Sequence, residues 1–122
     1  MFIDQSLNRN FRATYTITIN TKTFKLSLFS DGKLIKTYPV AIGKPSTPTP
    51  KGTFKIINKA INPGGPFGAR WLGLSISGYG IHGTNNPSSI GKAVSHGCIR
   101  MQNPAVIELA STVPIGTVVT II

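Results

Sequence analysis

The sequence predicts a mainly β fold in a single domain, a β-sandwich or closed mixed sheet carrying one short helix. Three observations predict it. Apolar and polar residues alternate with period two through much of the N-terminal half, and a single segment carries a capped, helix-like apolar face. Thirteen glycines and nine prolines in 122 residues punctuate the rest, yet stay well below the roughly 25–30% at which a chain loses its core. A chain of this length buries roughly two-thirds of its unfolded surface, enough for one core and not for two.

Residues 1–13 show no sustained period and read as a tail or edge segment, leaving 14–122 as the domain. Tyr15, Ile17 and Ile19 alternate with Thr16 and Thr18, and Phe24, Leu26 and Leu28 with Lys25 and Ser27, as half-buried antiparallel strands do. Asp31-Gly32 is a hairpin signal, because both residues tolerate the positive φ of a primed turn, and Leu34 to Ile42 follows as a third strand. GKPSTPTPKGT, residues 43–53, is a structured connector whose prolines remove ladder donors. Phe54 to Ile57 resumes a strand, and the loop from Asn62 to Gly68, before Ala69 to Ile76, fits one wall of a cleft or equally a bland surface turn. Asn103 as cap, Pro104 at the first position and Val106, Ile107, Leu109 and Ala110 as apolar face predict a helix to Thr112. Pro114 and Gly116 end it, and Thr117 to Ile122 closes the chain as a β-branched strand.

The net charge is +10, and residues 1–59 carry ten of the thirteen basic side chains. Such a field favours polyanions, although lysines alternating with apolar residues also fit the solvated faces of strands. No RNP-like motif, zinc finger or recognition helix accompanies the charge, so nucleic acid is not an expected partner. The three acids, Asp4, Asp31 and Glu108, are scattered, which argues against paired-carboxylate hydrolysis. Cys98 has no second cysteine for a disulfide or a usual structural zinc set. No run approaches the ~18 apolar residues of a transmembrane segment, and MFIDQSLNRN has no basic start followed by an apolar stretch, so neither a span nor an export signal is expected.

Chemistry concentrates in YGIHGTNNPSSIGKAVSHGCIRM, residues 79–101, which hold both histidines and the cysteine. A thiol at its ordinary pKa is a few per cent ionised at neutral pH, so a nucleophilic Cys98 needs a base or cation nearby; His82, His96 and Arg100 are available. Gly83 and Gly97 permit tight turns that aim amide donors at a reacting carbonyl. Bases in thiol enzymes come from elsewhere in the chain, which favours His82 over His96, two residues from the cysteine. With no acid near, a backbone carbonyl would fix the imidazole tautomer, and Gly83 is the nearest candidate. Two other readings fit the same residues. One is an inert buried cysteine among satisfied histidines; the other is a metal held by His82, His96 and Cys98 with water as fourth ligand, which lacks a carboxylate to orient it.

His82-Gly83-Thr84-Asn85 followed by Ser95-His96-Gly97-Cys98-Ile99-Arg100-Met101 resembles the signature of the L,D-transpeptidase catalytic domain, the YkuD family. Thr47 to Phe54 is similar to the family's turn before a core strand, and Phe67 to Leu72 to its aromatic segment, so the likeness covers roughly residues 15–122. It implies Cys98 as nucleophile, His82 as proton acceptor and donor, Gly83 as the orienting carbonyl and His96 as an aid to the transition state. Amides around Gly97 and Cys98 would hold the oxyanion, with Arg100, where many relatives have asparagine, beside the substrate and Tyr79 and Trp71 either in the cleft or, as large aromatics, in the packing behind it. The implied reaction attacks a peptidoglycan tetrapeptide stem, releases D-alanine and passes the acyl group to an amine or to water, with no metal, nucleotide or other cofactor. The implied location is extracytoplasmic, at the cell wall or spore wall, with anionic wall polymers as further partners. The competing class is a non-catalytic basic module binding wall or nucleic-acid polyanions.

Overall fold

The computed structural model describes residues 13–122; residues 1–12, nearly all of the segment read as a tail or edge, lie outside the described residues. β1 (Tyr15–Asn20), β2 (Lys25–Ser30) and β3 (Lys33–Pro39) form the expected antiparallel meander. Asp31 and Gly32 both take positive φ, 51° and 80°, as a primed hairpin turn requires. At the β1–β2 turn the Asn20 side chain accepts the Lys22 and Thr23 amides, and Phe24 leaves the strand in a left-handed conformation.

β4 (Ile42–Gly43) is split from β3 because Val40 and Ala41 break the run, and β5 (Gly52–Ile61) is longer than the four residues legible from alternation. A bulge at Ile57 interrupts the β5 period, leaving that side chain exposed while Ile56 is fully buried. β6 (Arg70–Leu74), β7 (Gly80–His82), β8 (Ala93–Ser95), β9 (Ile99–Arg100), helix α1 (Asn103–Thr112) and β10 (Val118–Ile121) complete the chain. Short 3-10 turns lie at Gly65–Phe67 and Pro87–Ser89.

Eight strands form one mixed sheet in the order β3-β2-β1-β10-β5-β6-β7-β9, and β4 pairs with β8 in a two-stranded sheet. The pairs β1–β10 and β7–β9 are parallel. The large sheet curls until Ala41, just past β3, exchanges two backbone bonds of 2.9 and 3.0 Å with Arg100 in β9. Inside the curl sit Ile17, Ile19, Leu26, Ile56, Leu72, Ile81, Ile99 and Val119, roofed by Val106 and Leu109 of α1. At roughly 1.5–3 kcal/mol per fully buried aliphatic side chain, this core is the main source of stability. Asn103 is not the cap read from the sequence: Gln102 holds that position, without a side-chain bond, and Asn103 lies within the first turn. Among the described residues no helix is long and apolar enough to cross a membrane.

Candidate active site

Sheet register builds the site. Directly opposed residues of paired strands project to the same face. β6 and β7 pair Leu72 with Ile81 and Trp71 with His82, and β7 and β9 pair Ile81 with Ile99 and His82 with Arg100. Leu72, Ile81 and Ile99, each 0% exposed, therefore form a row into the core. Trp71, His82 and Arg100 form the row on the other face. Cys98, two residues before Arg100, falls on that same face, and its thiol donates to the Gly78 carbonyl at 3.7 Å.

His82, Cys98, His96 and Arg100 line a cleft of about 450 Å³, whose opposite wall is Pro66, Phe67 and Thr84 to Asn86. The glycine- and proline-rich loop, read as a cleft wall or a surface turn, thus supplies a wall through Phe67. Asp31 accepts the Thr14 amide and Glu108 pairs with Lys36 and Tyr38, so neither described carboxylate reaches the cleft. Among the described residues no three His, Cys, Asp or Glu side chains gather as metal ligands.

The His82 ring is held on three sides. Its Nδ1–H donates to the Gly83 carbonyl at 2.6 Å, because that oxygen can only accept, which fixes the neutral ring's tautomer with Nε2 unprotonated. Trp71 stacks on it at 5.9 Å and 14°, and Phe67 meets it edge-on at 5.0 Å and 82°. Trp71 is itself anchored by donating Nε1–H to Asn58 at 3.1 Å. Burial pulls the imidazole below its ordinary value; the Gly83 bond opposes this and the Arg100 charge adds to it. Burial pushes the Cys98 thiol up, against a backbone bond from Gly80 and the Arg100 charge. Both shifts favour a neutral thiol beside a neutral imidazole.

The turn that carries Cys98 is tied down from within and from behind. Ser95 Oγ donates to the Cys98 carbonyl at 2.6 Å and accepts the Gly97 amide at 3.0 Å. Gly97 sits at φ 122°, and a Cβ there would lie 2.6 Å from the Tyr79 ring. The proline-rich connector works as a strap. Thr47 Oγ1 donates to the Ser95 carbonyl at 2.9 Å, and Thr49 Oγ1 donates to the Gly97 carbonyl at 2.8 Å while accepting the Gly43 amide at 2.9 Å.

Some placements differ from the sequence reading. Trp71 and Tyr79 are not among the residues lining the cleft; the first backs His82 and the second packs on Gly97. The Gly97 amide, read as an oxyanion donor, already donates to Ser95. Alternation could not anticipate these, because the face a strand residue occupies depends on register with partners far away in the chain. The roles of Phe67, Thr47 and Thr49 have no local signature: nothing in the sequence around a threonine marks it as a strap.

The family model described as the L,D-transpeptidase catalytic domain, YkuD, matches residues 14–121. The chain is 65% identical over 105 residues to a Bacillus subtilis strain 168 protein assigned by name to the YkuD L,D-transpeptidases, covering 86% of this chain and 63% of the relative. To the Bacillus licheniformis protein of the same name it is 61% identical over 107 residues, covering 88% of this chain and 65% of the relative. The chain thus spans a little under two-thirds of these curated relatives. Among solved structures it superposes on the catalytic domain of the E. faecium L,D-transpeptidase with TM-score 0.77 at 26% identity, over 92% of this chain and 99% of that one. A thiol and an imidazole set in one cleft by strand register, in a chain matched along nearly its whole length, lead to one assignment: it belongs to the YkuD family of L,D-transpeptidase catalytic domains.

Proposed function

We propose that this domain is a cysteine acyltransferase acting on peptidoglycan stem peptides as an L,D-transpeptidase. The observation that carries the reading is the shared cleft of Cys98 and His82, with His82 Nδ1 held 2.6 Å from Gly83 O so that Nε2 is left free to take a proton. Cys98 Sγ attacks the carbonyl carbon of the third residue of a tetrapeptide stem, commonly diaminopimelate, and its proton passes to His82 Nε2. The C–N bond to D-alanine breaks, and the departing amine takes that proton, leaving a thioester on Cys98. An amine of a second stem then attacks the thioester and gives its proton to His82, and the thiol is restored; water in place of the amine gives hydrolysis. Splitting the exchange into two acyl transfers lowers each barrier, and a thioester reacts well with amines.

The developing oxyanion falls to the Cys98 amide, since the Gly97 amide is held by Ser95 Oγ, with the exposed His96 at the rim assisting. Gly97 serves the turn instead, through its positive φ. Arg100 places a cation in the cleft, suited to a carboxylate of the stem. Trp71 and Tyr79 act as supports of His82 and Gly97. The substrate puts the site of action outside the cytoplasmic membrane, in the cell wall or spore wall, where the net charge of +10 favours anionic wall polymers.

Intact-mass spectrometry of the protein with a tetrapeptide stem and excess chelator tests the reading. An acyl adduct with release of D-alanine is expected on the wild type and on neither Cys98→Ala nor, at a comparable rate, His82→Ala. Formation of product without an adduct, or an adduct on Cys98→Ala, overturns it. Wall binding retained by Cys98→Ala without any acylation by the wild type would point to the binding module.

A further inference from the structure

We propose that Asn103 is a positioning residue for acyl transfer: its carboxamide fixes the peptide whose carbonyl holds His82 in the tautomer the reaction needs. The inference rests on the transpeptidase reading for its kinetic consequence and on geometry for the rest. Asn103 Oδ1 accepts the Ala69 amide at 3.0 Å and the Thr84 amide at 3.2 Å, and Nδ2 donates to the Thr84 carbonyl at 3.1 Å. One side chain therefore closes both hydrogen-bonding groups of Thr84, as a neighbouring strand would. The three bonds also define which end of the amide is oxygen, because two donors converge on it.

The Thr84 N–H and the Gly83 C=O belong to the same peptide unit. No described peptide is cis, and in a trans peptide the two groups point in opposite directions. Pinning the N–H on Asn103 thus aims the carbonyl at the imidazole, where it meets Nδ1 at 2.6 Å. A flip of this peptide would break both bonds together, so each holds the other. Crowding supports the same reading: a Cβ on Gly83 would lie 2.1 Å from Asn103 Oδ1 and 2.9 Å from the Ala69 amide nitrogen, so glycine lets the carboxamide in. Asn103 is delivered by the chain that leaves the site. The Met101 amide donates to the His82 carbonyl at 2.8 Å, and α1 begins two residues later. Asn103 does not line the cleft, so its effect passes through Gly83 and His82.

The test uses nitrogen-15 NMR of the histidines in the intact protein, assigned with His96→Gln, together with thioacylation kinetics on a tetrapeptide stem. The wild type should show His82 protonated at Nδ1 and free at Nε2. Asn103→Ala should show mixed tautomers and a roughly 10- to 100-fold lower kcat with KM little changed, as misorientation rather than lost binding predicts. Asn103→Asp keeps an acceptor for both amides and should restore the Nδ1-protonated signal and most of the rate. An Asn103→Ala protein that keeps the wild-type tautomer and acylates within about two-fold of wild type overturns the proposal. Should the alanine variant not fold, loss of the Nδ1-protonated signal in Asn103→Asp does so. The tautomer readout needs no substrate, so a wild type that never acylates would sink the transpeptidase reading, while the tautomers of Asn103→Ala and Asn103→Asp would still decide the orienting role of Asn103.

Discussion

Replacing Thr49 by valine keeps the shape of a buried side chain, 5% exposed, and removes its hydroxyl. That hydroxyl accepts the Gly43 amide at 2.9 Å and donates to the Gly97 carbonyl at 2.8 Å, so one substitution orphans a backbone donor and a backbone acceptor. Each buried group left without a partner costs about 1–3 kcal/mol, and partial relaxation toward water places the total near the lower half, about 2–4 kcal/mol. At about 4 °C per kcal/mol for a domain of this size, the thermal midpoint should fall by about 8–16 °C. Thr49→Ser keeps both bonds and loses a methyl, at a cost of about 1 kcal/mol. Because Gly97 precedes Cys98, the proposed nucleophile, thioacylation of Thr49→Val at a temperature where it remains folded should fall further than that of Thr49→Ser. Calorimetry of the three proteins is the assay. A Thr49→Val midpoint within about 2 °C of wild type would refute the strap, since the hydroxyl would then be contributing nothing net.

Other outcomes follow from the same geometry. On the proposed mechanism acylation requires neutral His82; since burial lowers its pKa, the acidic limb of the rate profile should lie below the ordinary histidine value of 6.5, read from initial rates across pH. Stability has the same sign, because between the folded and unfolded values the unfolded chain binds the extra proton, so the thermal midpoint should fall as pH drops through that window and level off below it. The Cys98 thiol, held up by burial, should be alkylated by iodoacetamide more slowly at neutral pH than a free cysteine, with the rate rising past pH 9.0. Trp71→Leu removes the ring stacked on His82 and admits water, so the acidic limb should move up toward 6.5; an unmoved limb would show that Trp71 does not set the desolvation.

How far the fold was legible depends on whether the information was local. Alternation in β1 and β2, the Asp31-Gly32 turn and α1 are fixed within a few residues and formed where they were read, except that the buried face of α1 is Val106, Leu109 and Ala110 while Ile107, read as part of it, is exposed. β7, β8 and β9, of three, three and two residues, carry no period of their own; they are strands because Ile81, Ala93 and Ile99 meet partners across the curl. The reactive cluster was legible for a different reason. One cysteine and two histidines in 122 residues leave few arrangements capable of nucleophilic chemistry, whereas the supports of the site are common residues. Asn103 before Pro104 carries every local mark of a helix cap, yet the Ala69 and Thr84 amides lie within its reach and take the side chain instead.

Shifts that favour a neutral thiol beside a neutral imidazole have a physical consequence for a lone cysteine. A thiol enzyme that stores a thiolate–imidazolium pair is quick to react with any electrophile, oxidants included, because oxidation follows thiolate character and exposure. Here the sulfur is partly covered, its pKa is raised by desolvation, and the base beside it is kept neutral by the same burial. On the proposed mechanism the thiolate forms as the proton passes to Nε2 during attack, so nucleophilicity is expressed when a carbonyl occupies the cleft. That arrangement asks more of geometry than of acidity. The imidazole must already present Nε2 when the substrate arrives, and its tautomer is set by a carbonyl whose direction is set by Asn103. The sulfur must already be in place, and its turn is set by Ser95 and Thr49. On that mechanism the supports behind the cleft carry the work that a permanent ion pair performs in other thiol enzymes, which is why substitutions there are expected to reach the chemistry without touching the substrate.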